Sequence, residues 1–593
     1  MLVFRIARLL AVGVIVAALV SALGCPSSGE KAGAAQATTS KTKPASGDEA
    51  IASAQLPAAE FQQPVAVPPS EPPPRLPPDP DDAPAPHAKS AAAAGKVAES
   101  REAPKVSAED VATKPRLTKV PRKPFDPIEV NGRYFTGWPK PKVAIAITGM
   151  EQGYIEPCGC AGMDRMTGGM SRRYALFQEL RKKGWPLVAF DVGGLAHGTG
   201  LEAETKFHTL AESKEKMGYN AVGFGADDLR LPADGLVSVA AAVNGKPSVF
   251  VSANVGLFGF DQNVTQTSRI VKAGGMKIGV TAVLGKQYQK QFRNTDVETC
   301  DPDVALNKIM PELKRNADYL VLLANTTQAE AIDLVKKYPA FNVAVLADSP
   351  ELPSNTPEFV RGTRTLLVPV GRKGASVIVL GLYDGAPSVR YQRVLLDSRF
   401  DLSTDAGHRA PLEMKRLMDG YQEQLKVFGF AGLGLRPAAS PLAEQNGRYV
   451  GSQKCESCHE KSYDIWKRSG HAHAYKTLET QDPPRNYDPE CVSCHVIGWH
   501  PTKFFPYEGG FEGPKKTPHL KNVGCEDCHG PGEKHCTAEL GGNKELQKKY
   551  RKAVRITREQ SKKEQCMTCH DLDNSPDFDF DKYWPLIEHH EEH

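Results

Sequence analysis

At 593 residues the chain is too long for a single hydrophobic core, so several domains are expected. It carries 74 Lys and Arg against 70 Asp and Glu, a formal charge of +4, and that near-balance gives no footing for nucleic-acid binding. Nine of the thirteen cysteines and twelve of the sixteen histidines lie after residue 450, which points to metal or haem chemistry at that end.

Residues 1–25 read as an export signal. Arg5 and Arg8 precede an apolar run from Leu9 to Leu23, shorter than the ~20 residues that a membrane-spanning helix needs. The run ends in Ala22-Leu23-Gly24-Cys25, which resembles a bacterial lipobox with Ala22 where the usual residue is Leu. A lipoprotein anchored to the membrane through Cys25 is the expectation; plain secretion and an uncleaved anchor are the alternatives. Each places the rest of the chain outside the cytoplasmic membrane, in the periplasm or on the outer surface.

Residues 26–130 are rich in Ala, Pro, Ser and Lys, with "PPSEPPPRLPPDPDDAPAP" as the extreme. So few large apolar residues cannot form a core, and the prolines favour an extended tether. From 140 to 400 the pattern becomes α/β. Apolar runs such as "KVAIAI", "PLVAFDV", "AVGFG", "SVFVSANV", "KIGVTAVL", "DYLVLLAN", "NVAVLAD", "TLLVPV" and "SVIVLGLY" read as strands. Amphipathic segments between them, "MSRRYALFQELRKKG", "EAETKFHTLAESKEKMG" and "TQAEAIDLVKKYP", read as helices. Residues 401–446 predict a helix and a linker. Residues 447–593 predict a mostly α and irregular domain whose core a cofactor supplies.

Four Cys-x-x-Cys-His motifs occur there: Cys455/Cys458/His459, Cys491/Cys494/His495, Cys525/Cys528/His529 and Cys566/Cys569/His570. One helical turn sets two thiols under the two vinyl groups of a porphyrin, and the next residue puts an imidazole beneath the iron. A single copy is also half of a zinc ribbon. Four copies, each followed at once by His and placed behind an export signal, leave little room for that reading. Four covalently attached haems c are expected. The spare histidines His471, His473, His500, His519, His535, His589, His590 and His593 outnumber the sixth positions to be filled, so counting alone does not assign them.

The stretches "YVGSQKCESCHEKSYDIWKRSGHAHAYKTL", "DPECVSCHVIGW" and "NVGCEDCHGPGEKH" resemble the tetrahaem cytochrome family of the electron carrier from ammonia oxidation, over about residues 447–593. The resemblance implies that His471, His535 and one of His589 or His590 cap haems held by other motifs, and that the second haem is five-coordinate. His519, in "TPHLKNVG", has no counterpart in that carrier. It either closes the open site or hydrogen-bonds a propionate. His473, His500 and His593 are expected not to ligate, and Cys536 to be a spare thiol.

The segments "GYIEPCGC", "GGMSRR", "MGYNAVGFG", "FVSANV" and "KIGV" resemble the metallophosphatase superfamily, in its periplasmic 5'-nucleotidase branch, over about residues 140–390. That family holds two metal ions in Gly-Asp-x-His-Gly, Gly-Asp, Gly-Asn-His-Glu and Gly-His-x-His loops. The matching positions here read Gly149-Met150-Glu151-Gln152-Gly153, Asp191-Val192-Gly193-Gly194, Gly225-Ala226-Asp227-Asp228 and the region of Ala347-Asp348-Ser349, with Asn325 near the other histidine position. A thioether and a bare glycine cannot hold a hard cation, so no dinuclear metal site and no hydrolysis are expected. Glu151, Asp227 and Asp228 leave a lone metal ion as an alternative, but solvated loop acids are the better reading. Arg172 and Arg173 read either as an anion site at a helix start or as a solvated or salt-bridged face. Cys158 and Cys160 leave two readings: a disulfide staple, with Cys300 as one potential partner, or a thiol redox, persulfide or metal-thiolate site.

The leading expectation is an exported electron-transfer protein with redox partner proteins, whose metallophosphatase-like α/β sandwich serves for docking or sensing. The alternatives are a multihaem oxidoreductase acting on a small nitrogen or sulfur compound at an open haem, and a phosphoesterase with a cytochrome attached.

Overall fold

The computed structural model describes residues 124–159, 162–242, 246–401 and 412–589. The export signal, most of the tether, Cys160, His590 and His593 lie outside the described residues. Thirteen strands build the α/β part: β1 (Val143–Thr148), β2 (Leu187–Asp191), β3 (Ala221–Val222), β4 (Val255–Leu257), β5 (Arg269–Ala273), β6 (Met276–Leu284), β7 (Val297–Thr299), β8 (Tyr319–Asn325), β9 (Val343–Leu346), β10 (Glu358–Phe359), β11 (Leu366–Pro369), β12 (Ser376–Leu382) and β13 (Val389–Leu395). One sheet has the order β13-β12-β1-β2-β3 and the other β10-β11-β9-β8-β6-β5. Strands β1, β2 and β3 are parallel, as are β11, β9, β8 and β6; β12, β13, β10 and β5 join these sheets antiparallel, and β4 and β7 form a separate antiparallel pair.

The strand period of two explains why these strands read as unbroken apolar runs. Val143, Ile145 and Ile147 of β1 point into a core shared with Val321 and Leu323 of β8, between the two sheets. Ala144 and Ala146 point the other way, onto a second core with Leu176, Phe177, Phe207 and Leu210. Leu320, Leu322 and Ala324 of β8 meet Leu306, Met310, Leu334 and Val335 on the outer face of the second sheet. The result is a sandwich with helices on both outsides. Met170–Lys182 and Leu201–Met217 cover the first sheet; Pro302–Asn316 and Gln328–Lys337 cover the second. The helix Leu412–Gly432 buries Met414, Tyr421 and Leu425 in the same core as the first pair, so this part of 401–446 packs onto the sandwich.

Two strands carry no apolar run. β13, "VRYQRVL", is half-buried along most of its length, and β5, "RIVKA", alternates exposed and half-buried residues. "SVFVSANV" makes only isolated bridges at Phe250 and Val251 before β4.

After residue 447 the chain folds into short helices around a small apolar core of Tyr475, Leu478, Val492, Val496, Ile497, Trp499, Phe511 and Leu520, joined by Phe430. Among the described residues no helix is long and apolar enough to cross a membrane.

Candidate functional site

Each Cys-x-x-Cys-His motif is folded as a helical turn. Cys525–His529 is one short helix, the His459 N–H donates to the Cys455 carbonyl at 2.9 Å, the His570 N–H donates to the Cys566 carbonyl at 3.0 Å, and the His495 N–H donates to the Val492 carbonyl at 2.8 Å. All eight motif thiols are free of disulfides, as is Cys536. Thiols of different motifs are neighbours: Cys455 lies beside Cys525, and Cys494 beside Cys569. The first motif is therefore beside the third, and the second beside the fourth.

Cys458 departs from the others. The sequence groups it with seven equivalent attachment thiols, but Cys458 is exposed, whereas the other motif cysteines and Cys536 are half-buried. The physical reason is its place on the surface turn between the helices Gln453–Glu456 and Glu460–Arg468, where Ser457 Oγ lies 3.9 Å from its Sγ. The Cys458 N–H still donates to the Cys455 carbonyl at 3.2 Å, so the backbone turn and not side-chain packing positions this thiol.

Three of the four motif histidines face a second imidazole from elsewhere in the chain. Ring centroids are 6.1 Å apart for His459 and His535, 6.1 Å for His471 and His570, and 5.8 Å for His529 and His589. Two imidazoles sharing one metal, each with its nitrogen at about 2 Å, stand with centroids about 6 Å apart. The outer ring nitrogens are engaged. His529 Nδ1 lies 2.8 Å from the Val554 carbonyl, His570 Nδ1 2.9 Å from Ser575 Oγ, and His589 Nδ1 2.8 Å from the Ile587 carbonyl. Such bonds fix the tautomer and leave Nε2 for a metal. Burial pulls His471 and His570 down to about 4 and also lowers His495 and His529, so these rings are neutral at pH 7 with a lone pair to offer. Free thiols, opposed neutral imidazoles and a small apolar core fit haem c.

His495 differs. Its Nδ1 lies 2.6 Å from the Ala474 carbonyl, but among the described residues no second imidazole is paired with it. His519 is exposed, its ring against Gly451, and is paired with none of the motif histidines. His500 packs on Phe505 and Tyr507.

In the sandwich, the loops after β1, β2, β3 and β8 converge at one end. The Met150 N–H donates to the Gly193 carbonyl, and Asn325 Nδ2 donates to the Val192 carbonyl at 3.3 Å. A Cβ on Gly194 would sit 2.5 Å from Met150 Sδ, so the thioether covers the glycine. The acids there correct the sequence reading: Glu151 and Asp228 are fully buried, and only Asp227 reaches solvent. Lys214, from the 201–217 helix, explains this. Its Nζ lies 2.5 Å from Glu151 Oε1 and 2.5 Å from Asp191 Oδ2, with Thr148 Oγ1 also on Asp191. Arg173 completes the cluster at 2.7 Å from Glu151. Arg172 pairs with Asp401 at 2.6 Å and donates to the carbonyls of Met163, Met166 and Leu396. Both arginines are buried, which removes the solvated-face and anion readings. Asp228 accepts N–H groups of Gly194, Ala196 and Gly225, yet burial pushes its carboxyl up to about 7. The cations at this end of the sheet are thus protein side chains.

Cys158 and Cys300 each stand in a disulfide. The Cys158 loop touches the motif region: Arg485 Nη1 donates to the Pro157 carbonyl at 3.1 Å and the Cys158 carbonyl at 3.2 Å. Lys206 Nζ lies 2.5 Å from Glu490 and 3.0 Å from Glu202, and Gln422 bonds Asp488 at 2.8 Å. Lys373 pairs with Asp573, and Arg165 with Asp577 at 2.9 Å. The sequence reading missed these contacts because each joins residues that only the tertiary fold brings together. Glu202, Asp488 and Glu490 are the one group among the described residues with three ligand atoms in reach of a metal, and the Lys206 ammonium pairs with two of them.

Fold and site define an α/β sandwich joined to a c-type haem module. Residues 454–530 match the family model described as cytochrome c554 and c-prime. Cytochrome c-554 of Nitrosomonas europaea is 32% identical over 142 residues, which are 21% of this chain and 57% of that protein. The chain thus spans under two thirds of that relative's length. The cofactor of this region is covalently bound haem c with its iron. Among solved structures, the 5'-nucleotidase precursor of Thermus thermophilus is similar over 48% of this chain and 59% of its own, with 16% identity and a TM-score of 0.39. The sulfate thiohydrolase SoxB of the same organism covers 51% and 63%, with 12% identity and a TM-score of 0.39. The calcineurin-like phosphoesterase YfkN of Bacillus subtilis covers 48% and 97%, with 15% identity and a TM-score of 0.35.

Proposed function

We propose that the chain is an exported electron carrier holding four haems c. The eight motif cysteines form the thioethers, and His459, His495, His529 and His570 are the proximal ligands. His535, His589 and His471 are the distal ligands of the first, third and fourth haems. The observation that carries this is the set of three opposed imidazole pairs at 5.8–6.1 Å. Bound haem supplies a one-electron Fe(III)/Fe(II) couple. The chain's part is to hold neutral imidazoles in fixed orientation and to bring the motifs side by side, first against third and second against fourth, as the thiol contacts do. The export reading of residues 1–25 supports haem attachment, and Cys25 is the proposed membrane anchor. The sandwich serves as a docking module, braced against the second and fourth motifs through Arg485, Lys206 and Lys373. The mature holoprotein's mass and its pyridine haemochrome should both give four haems per chain; any smaller number contradicts the assignment.

One observation favours a second reading. With no imidazole opposite His495 among the described residues, the haem on the second motif keeps a position for a small nitrogen or sulfur compound, and the chain then acts as an oxidoreductase. Binding of carbon monoxide to one haem of the reduced protein is expected on this reading, and its failure removes it.

A further inference from the structure

We propose that the helix Lys544–Ala553, with the residues just after it, is the docking surface for an acidic redox protein. From Lys544 to Lys563 there are nine Lys and Arg against two Glu, although the whole chain has a net charge of only +4. This segment is therefore far more positive than the chain as a whole. Lys544, Lys548 and Lys552 are spaced i, i+4, i+8, so they share one ridge, and all three are exposed. Like charges at that spacing destabilise a helix, so the ridge is costly without an anionic counterpart. Arg551 is neutralised by Glu539, and Arg558 and Lys562 share Asp581. Lys544, Lys548, Lys552, Arg555 and Lys563 make no ion pair among the described residues, and neither segment acid, Glu545 nor Glu559, is bridged to them.

The position of this ridge ties it to electron transfer. The helix ends at Val554, whose carbonyl is the partner of His529 Nδ1 at 2.8 Å. Arg551 pairs with Glu539 on the helix Glu533–Gly541, which carries His535. A partner seated on the ridge therefore stands over the first and third motifs. The second and fourth motifs are covered by the sandwich through Glu490, Arg485 and Asp573. Among the described residues, these sandwich contacts fall at the second and fourth motifs, and the basic ridge lies at the other pair. An acidic partner is the occupant that charge complementarity selects, since steering by opposite charge raises encounter rates. This inference rests on the electron-carrier reading for its consequence but not for the binding itself.

The test uses the full-length holoprotein and two variants, K544E/K548E/K552E and K544Q/K548Q/K552Q. The probes are a flavodoxin as the acidic redox protein, a basic cytochrome c of opposite sign, and phosphatidylglycerol vesicles. The native chain should bind flavodoxin, and binding should weaken about tenfold or more as salt rises from about 20 to about 200 mM. The Glu variant should lose about tenfold or more at low salt and the Gln variant less, with unchanged haem spectra. Equal flavodoxin binding by native chain and variants overturns the proposal, as does equal binding of the basic cytochrome. Ridge-dependent binding to the vesicles but not to flavodoxin also overturns it, in favour of a membrane surface. If haem loading fails but flavodoxin binding persists on the ridge, the carrier reading fails and the docking surface stands.

Discussion

His471 and His570 face each other with ring centroids 6.1 Å apart, though one follows the first motif and the other closes the fourth. The helix Glu460–Arg468 and the turn His471–His473 carry the first ring across; Trp466 Nε1 and the His471 carbonyl both bond the Val523 backbone, which fixes that crossing. His471→Ala should therefore convert one low-spin haem, that on Cys566/Cys569, into a high-spin one and leave the other centres unchanged. Visible and paramagnetic resonance spectra check this. An unaltered low-spin complement contradicts the pairing.

Lys214 should be the most sensitive residue of the sandwich. Lys214→Met leaves Glu151 and Asp191 buried without their shared cation, and breaking one side of a buried ion pair costs about 3–5 kcal/mol. Adding Glu151→Gln and Asp191→Asn should restore much of that loss. Urea unfolding of the three proteins measures both steps.

Legibility followed the range of each interaction. The four Cys-x-x-Cys-His turns were readable because each motif sits within five contiguous residues. The exposure of Cys458 was not, because motif spacing says nothing of which turn lies at the surface. The central strands β1, β6, β8 and β12 were readable because both faces of each are buried. β13 and β5 were not, since their outer faces carry arginine and lysine. Glu151 read as a solvated acid because its cation, Lys214, lies three elements later, on the helix Leu201–Met217. For Arg172 and Arg173 the salt-bridged alternative holds, but their partners, Asp401 and Glu151, were not legible because they are distant in sequence. The resemblance pointed to His471, His535 and His589 or His590; their pairing with particular motifs required the fold.

Glu202 gives the contact between sandwich and haem module a pH dependence. Burial raises its carboxyl from 4.5 to about 7; Lys206 opposes this, and Glu490 and Asp488 add to it. A carboxyl raised in the folded state holds its proton where the unfolded chain has lost it, so stability falls as pH rises from about 4.5 to about 7. Glu202→Gln should flatten that slope, by an amount of order 1–3 kcal/mol. Unfolding midpoints measured across pH 4 to pH 8 for both proteins decide it; parallel curves contradict the assignment.

Arg485→Ala should loosen the loop that ends in Cys158. It removes the charged donor to the Pro157 and Cys158 carbonyls, leaving only Gln481 Nε2 at 3.4 Å on the latter, and such charged bonds are worth about 1.5–3 kcal/mol. Hydrogen exchange in residues 154–159 should speed up while the haem spectrum stays native. Unchanged exchange would show that this contact does not hold the loop.

The central claim is that three haems are bis-histidine and the haem on Cys491/Cys494 is not. Spin-quantified paramagnetic resonance of the oxidised full-length holoprotein tests it most directly. The pairings of His459 with His535, His529 with His589 and His570 with His471 give three low-spin ferric centres, and His495 alone gives one high-spin centre. Four low-spin centres would contradict the account.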